Sequence, residues 1–148
     1  MKVHVEWLVE PVAPGDDGVA RAVREALEYG QRPDFELSVA LVDDPTLAEL
    51  HERCLGDPSV TDVMSFDLED DGPGPGGEVI VSVDRARAVS SARGTSLERE
   101  ITLYLVHGTL HLCGYDDHEA EDRQRMRAAE SAVMQRLGFE PDERPHDL

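Results

Sequence analysis

Lysine is nearly absent from this chain of 148 residues: one lysine and thirteen arginines face thirty-two acidic residues, for a formal charge of -18. That balance excludes a protein that grips nucleic acid by bulk electrostatics, and leaves room only for a local basic groove. DNA is not an expected partner. Two cysteines, Cys54 and Cys113, are too few for a secreted disulfide framework. No apolar run approaches the ~20 residues of a membrane helix, and residues 1–9 alternate instead of forming an apolar signal core. Aromatics make up only 5% of the chain, yet its 40% of apolar residues falls in periodic segments, which argues against disorder. The length suits one domain, able to bury ~70% of its unfolded surface without staples. What remains is a soluble, cytoplasmic, single-domain protein with no membrane contact.

Val3, Val5 and Trp7 alternate with His4, Glu6 and Leu8, the period of a strand. Pro11 to Gly18 reads as a loop in which Asp16 or Asp17 caps a helix that carries Val19, Ala20, Val23, Ala26 and Leu27 to Gly30. Phe35 to Val42 is a second strand, and Asp43-Asp44-Pro45-Thr46 opens a helix with Leu47, Leu50 and Cys54. Val60 to Leu68 is a third strand and Glu78 to Val83 a fourth, with a loose Gly- and Pro-rich loop from Asp70 to Gly77 between them. Arg85 to Gly94 is short, basic and partly helical. Ser96 opens a long helix that runs through His111 and closes at Gly114, a good C-terminal stop. A last helix, Glu119 to Leu137, stops at Gly138. The expectation is an α+β domain over 1–138, a mixed four-stranded sheet packed with helices, followed by a frayed acidic tail over 139–148.

Three of the six histidines, His107, His111 and His118, fall within twelve residues. His107 and His111 are four apart on the long helix, so both rings stand on one face and can take two corners of a tetrahedral metal site. The chain then turns back at Gly114, and His118 supplies a third corner. Three imidazoles leave a fourth position open, the layout of a catalytic zinc site. Asp116, Asp117 and Glu119 are available to hydrogen-bond ring nitrogens, or form a solvated acidic turn. His4, His51 and His146 have no such company and read as structural or exposed. Cys113 reads as buried near the site rather than as a fourth ligand. In the zinc peptidase helix His-Glu-x-x-His the glutamate serves as base, but here Gly108 stands in its place, which disfavours a peptidase. A glycine there either leaves room for a bulky substrate or permits close helix packing.

The run His107-Gly-Thr-Leu-His111-Leu-Cys-Gly114-Tyr-Asp-Asp-His118 resembles the signature of the YbeY family of endoribonucleases, the bacterial rRNA maturation factors. Thr61-Asp62-Val63-Met64-Ser65-Phe66 and Gly77-Glu78-Val79-Ile80-Val81-Ser82 resemble two further strand motifs of that family, in the family's order, and the likeness extends over about residues 35 to 137. The resemblance implies a small α+β domain that holds one zinc ion through His107, His111 and His118. It also implies metal-dependent cleavage of single-stranded rRNA in 16S 3' end processing and ribosome quality control. Two departures stand out. The turn after Gly114 is one residue longer than the commoner family pattern, which makes Asp117 a rival to His118. Where many members carry an arginine six residues before the Thr-Asp-Val strand, this chain has Leu55, and Arg53 points elsewhere on its helix.

Arg85, Arg87 and Arg93 lie in a stretch poor in acid and are the candidate contacts for RNA phosphates. With so few aromatics for base stacking, modest affinity for naked RNA and help from the ribosome or ribosomal proteins are expected. Two other classes remain: a non-catalytic zinc-containing ribosome-assembly factor, and a metal-dependent hydrolase of another substrate.

Overall fold

The computed structural model describes residues 3–55, 63–68, 76–140 and 148. The N-terminal alternation forms strand β1 (Val3–Trp7). Helix α1 (Gly15–Tyr29) follows, with Pro14 rather than an aspartate at its N-cap. Asp16 sits inside the first turn instead, where its carboxylate accepts the indole N–H of Trp7 at 2.5 Å and ties helix to strand. After β2 (Leu37–Val42), Asp43 caps α2 (Asp44–Leu55) by accepting the Thr46 backbone N–H at 2.8 Å. Strands β3 (Val63–Asp67) and β4 (Gly77–Ser82) come next; most of the loop expected between them lies outside the described residues. The basic stretch is helical throughout, as α3 (Val83–Arg93). It is capped by the Ser82 hydroxyl, which accepts from the Arg85 N–H, and ended by Gly94 in the left-handed region.

The sheet order is β1-β2-β4-β3. β1, β2 and β4 are parallel, and β3 runs antiparallel to β4 on the edge. Side chains alternate across it. Leu37, Val39, Leu41, Val79 and Val81 face the main core, shared with the helices on that side. Val42, Met64 and Ile80 face the other way, against Leu47 and Leu50 of α2. Beyond α2 that second face turns polar. His4 and Glu36 pair there at 3.5 Å. On the same face burial, together with the neighbouring Glu6, pushes the Glu78 carboxyl above its usual range.

Helix α4 (Leu97–Leu112) runs through the middle. Ser96 caps it, accepting the Arg99 N–H at 3.1 Å, and every residue from Glu100 to Leu110 is buried. A helix buried all round is a core element rather than an amphipathic cover. Its last turn closes on Cys113 and on Gly114, whose φ of 100° favours glycine. Arg32 donates to the Leu112 carbonyl at 2.7 Å, a cation on the negative end of the helix. Helix α5 (Ala120–Arg136) then packs along α4 and stops at Gly138. Past it, Phe139 and Leu148 rest against the main core, while 141–147 lie outside the described residues. Among the described residues no helix is long and apolar enough to cross a membrane.

Gly108 explains how close α4 comes to the sheet. A Cβ there would stand 2.9 Å from Val79 Cγ1 and 3.0 Å from both Ser65 Oγ and Val63 Cγ2. The Ser65 hydroxyl donates to the Gly108 carbonyl at 2.9 Å. Of the two roles open to this glycine, close packing is the one observed: it faces β3 and β4. Gly108→Ala should gain up to about 1 kcal/mol of helix propensity and lose about 1–3 kcal/mol to overpacking. A lowered urea midpoint with unchanged slope is the expected net result.

Candidate metal centre

The C-terminal half of α4 carries His107 and His111 on one face, with ring centroids 4.6 Å apart and rings nearly perpendicular. Their Nε2 atoms are 3.0 Å apart. Asp117 Oδ2 approaches both, at 3.5 Å from His107 Nε2 and 3.4 Å from His111 Nε2. Behind the pair, His107 Nδ1 lies 2.5 Å from Glu130 Oε2 of α5. Glu130 is almost wholly buried and also accepts from Arg127 Nη1, at 3.0 and 3.2 Å.

This arrangement fits a metal ion on its chemistry. A carboxylate can only accept, so the ring proton of neutral His107 belongs on Nδ1, and its Nε2 lone pair faces His111 and Asp117. Two imidazole nitrogens and a carboxylate oxygen then converge, and such a set is stabilised by a cation at its centre. Zinc bonded to nitrogen at ~2.0–2.1 Å in a tetrahedron sets its ligand atoms ~3.3–3.4 Å apart, close to the three separations seen. His107, His111 and Asp117 are thus residues able to hold a metal.

His118 is turned away. Its side chain is 84% exposed, and Nε2 lies 3.5 Å from Asp116 Oδ1. The cause is parity in the turn. Side chains of residues 115–118 alternate in burial, with Tyr115 and Asp117 half-buried and Asp116 and His118 exposed. Arg123 holds this arrangement, donating to the His118 carbonyl at 2.9 Å. Asp116 and His118 form, with Asp117, a second and more exposed group of possible ligands.

The other expected residues fall elsewhere. Arg85, Arg87 and Arg93 belong to α3, which leaves the C-terminal end of β4. The imidazole pair instead sits over its first half, where Val79 meets Gly108 and Gly77 meets Leu112. Arg93 precedes the Ser96 cap of α4, about 16 Å of helix rise from His107. The arginines near the turn are Arg123 and Arg125 of α5. Arg125 lines a cavity of about 300 Å³ together with Cys113, Gly114, Tyr115, Asp116 and Asp122. Cys113 packs against Gly30, and burial pushes its thiol up. Arg53 pairs with Glu49 at 2.7 Å on α2. Thr61, Asp62 and His146 lie outside the described residues, as do the side chains of His51, Cys54 and Leu55. Glu130 escaped the sequence reading, although a signal existed: it is the charge within the buried stripe of Met126, Ala129, Val133 and Met134.

Burial holds His111 below the ordinary imidazole range; the His107 charge adds to this, and Asp117 opposes it. Between that lowered value and about 6.5, the unfolded chain takes up a proton that the folded chain refuses. Stability of the metal-free protein therefore falls as pH drops through this window. Histidine NMR titration of metal-free protein should give His111 a midpoint below about 6.5, and Asp117→Asn should lower it further.

The family model of the endoribonuclease YbeY matches residues 15–138, further towards the N-terminus than the signature motifs alone reach. A curated endoribonuclease YbeY of Desulfitobacterium hafniense (strain Y51) is 39% identical over 134 residues, 84% of this chain and 83% of its own. That of Symbiobacterium thermophilum is 34% identical over 144 residues, covering 89% and 92%. A solution structure of a Thermotoga maritima protein matches with a TM-score of 0.60 over 90% of each chain at 22% identity, and so shares the fold. A family match that spans α1 to the end of α5, with relatives alike over most of their own length, makes this chain a member of the YbeY endoribonuclease family.

Proposed function

We propose that the protein is a zinc-dependent endoribonuclease that cuts single-stranded rRNA, acting in the cytoplasm in 16S 3' end maturation and ribosome quality control. The observation that carries this reading is the convergence of His107 Nε2, His111 Nε2 and Asp117 Oδ2 within 3.5 Å of one another, in a chain of the YbeY family. His107 and His111 are the first two ligands. The turn supplies the third, and the geometry favours Asp117 over His118. Zinc held there would polarise a phosphodiester oxygen and lower the pKa of a water.

The chain's own residues do the positioning. Glu130 and the burial of α4 fix His107, and Arg123 fixes the turn that carries Asp117. The cavity beside that turn would offer a nucleotide the Tyr115 ring and the Arg125 guanidinium, the latter already paired with Asp122 at 2.5 Å. A body of charge -18 with one small basic edge favours substrate delivered on the ribosome or by a ribosomal protein over capture of free RNA.

Zinc-loaded protein should cleave a labelled single-stranded RNA, and His111→Ala should reduce cleavage to background with loss of zinc. A 2',3'-cyclic phosphate on the product would identify the ribose 2'-OH, rather than water, as the nucleophile. Folding-dependent zinc without any cleavage would instead indicate an assembly factor. The third ligand is separable by zinc affinity. Asp117→Ala should weaken binding by more than the roughly 10–100-fold lost with an outer partner. His118→Ala should change it little. Equal losses in the two variants would return His118 to the centre.

A further inference from the structure

We infer that Glu130 is a positioning residue for the metal centre: together with Arg127 it dictates which nitrogen of His107 carries the proton. The inference rests on the metal-binding reading above. Glu130 is a carboxylate at 2% exposure on the apolar stripe of α5, a place where an ionised side chain persists only when paired. Its position is fixed from two sides. Arg127 Nη1 donates to both of its oxygens, at 3.2 and 3.0 Å, and the other terminal nitrogen of Arg127 donates to the Leu148 carbonyl oxygen. On the far side, Oε2 faces His107 Nδ1 at 2.5 Å.

The consequence follows from counting protons. A neutral imidazole has one N–H and one lone pair. An acceptor at Nδ1 draws the proton there and leaves the lone pair on Nε2, aimed at His111 Nε2 and Asp117 Oδ2. A methionine in place of Glu130 has nearly the same shape but no such acceptor, so Nδ1 would lose the partner that draws the proton to it. A glutamine keeps one. Oε2 alone meets both Arg127 Nη1, at 3.0 Å, and His107 Nδ1, at 2.5 Å, so a single amide oxygen in its place still accepts from both. Arg127 therefore holds that oxygen where Nδ1 needs it.

Two measurements on purified protein test this: zinc affinity by chelator competition, and the protonated nitrogen of His107 by 15N NMR of the metal-free form. Wild type should carry the proton on Nδ1. Glu130→Met should no longer hold it there and should bind zinc roughly 10–100-fold more weakly, the usual cost of losing such a partner. Glu130→Gln should keep the proton on Nδ1 and most of the affinity, a rescue that follows the acceptor atom rather than the charge. Zinc affinity of Glu130→Met within about threefold of wild type, with the proton still on Nδ1, would overturn the inference. If Glu130→Met does not fold, Glu130→Gln decides. Nδ1 protonation with near-native affinity supports the inference, and loss of either overturns it. Failure of wild type itself to take up zinc overturns the metal reading and this inference with it.

Discussion

A helix surrounded on all sides by protein has no water to offer its polar side chains, so each needs a partner in the fold or bears the cost of going without. Helix α4 lives under that constraint. Glu100 accepts from the Thr95 hydroxyl at 2.8 Å, and Thr102 donates to the Glu98 carbonyl at 2.7 Å. His107 meets it through Glu130. The sheet can press this close because Gly108 offers no Cβ, and the same closeness denies His107 any solvent. The capacity of the centre to hold a metal ion is in this sense a product of core packing. Apolar contacts place the helix, and burial then forces a specific hydrogen bond that orients the ring.

The elements were legible because their signals are periodic and local. Alternation marked β1, and glycine stops at Gly114 and Gly138 marked two helix ends with positive φ. The imidazole pair was legible for the same reason, since a spacing of four on a helix fixes a shared face. The third donor was not. Whether Asp117 or His118 turns inward depends on how side chains alternate in the short turn and on Arg123 of the next helix. Spacing counted along the chain carries neither. The place of the α3 arginines was not legible either: a run of charge says nothing about which end of a strand its helix leaves, and Ser82 puts that helix at the end away from the imidazoles. At the other extreme, the helix cap of α1 was misread by a few residues because Asp16 had a tertiary partner, Trp7.

Family membership and chain-specific geometry also answer different questions. The match over 15–138 establishes what kind of protein this is. Which residue of the turn faces inward has to be read from this chain's own geometry. A carboxylate among two imidazoles brings a negative charge to a centre that three imidazoles would leave neutral.

The sheet face that α2 leaves uncovered gives the molecule a sidedness. Glu6, Glu36 and Glu78 stand there, and Glu78 is reluctant to ionise, chiefly because it is half-buried and in smaller part because Glu6 is beside it. A polyanion drifting towards the protein is repelled from that side at distances up to about a Debye length, near 8 Å in physiological salt. The opposite side, where α5 carries Arg123 and an Arg125 paired with Asp122, lies away from that charge. Repulsion of that reach makes the uncovered sheet face a poor landing place for a polyanion and leaves the other faces of the protein to receive one.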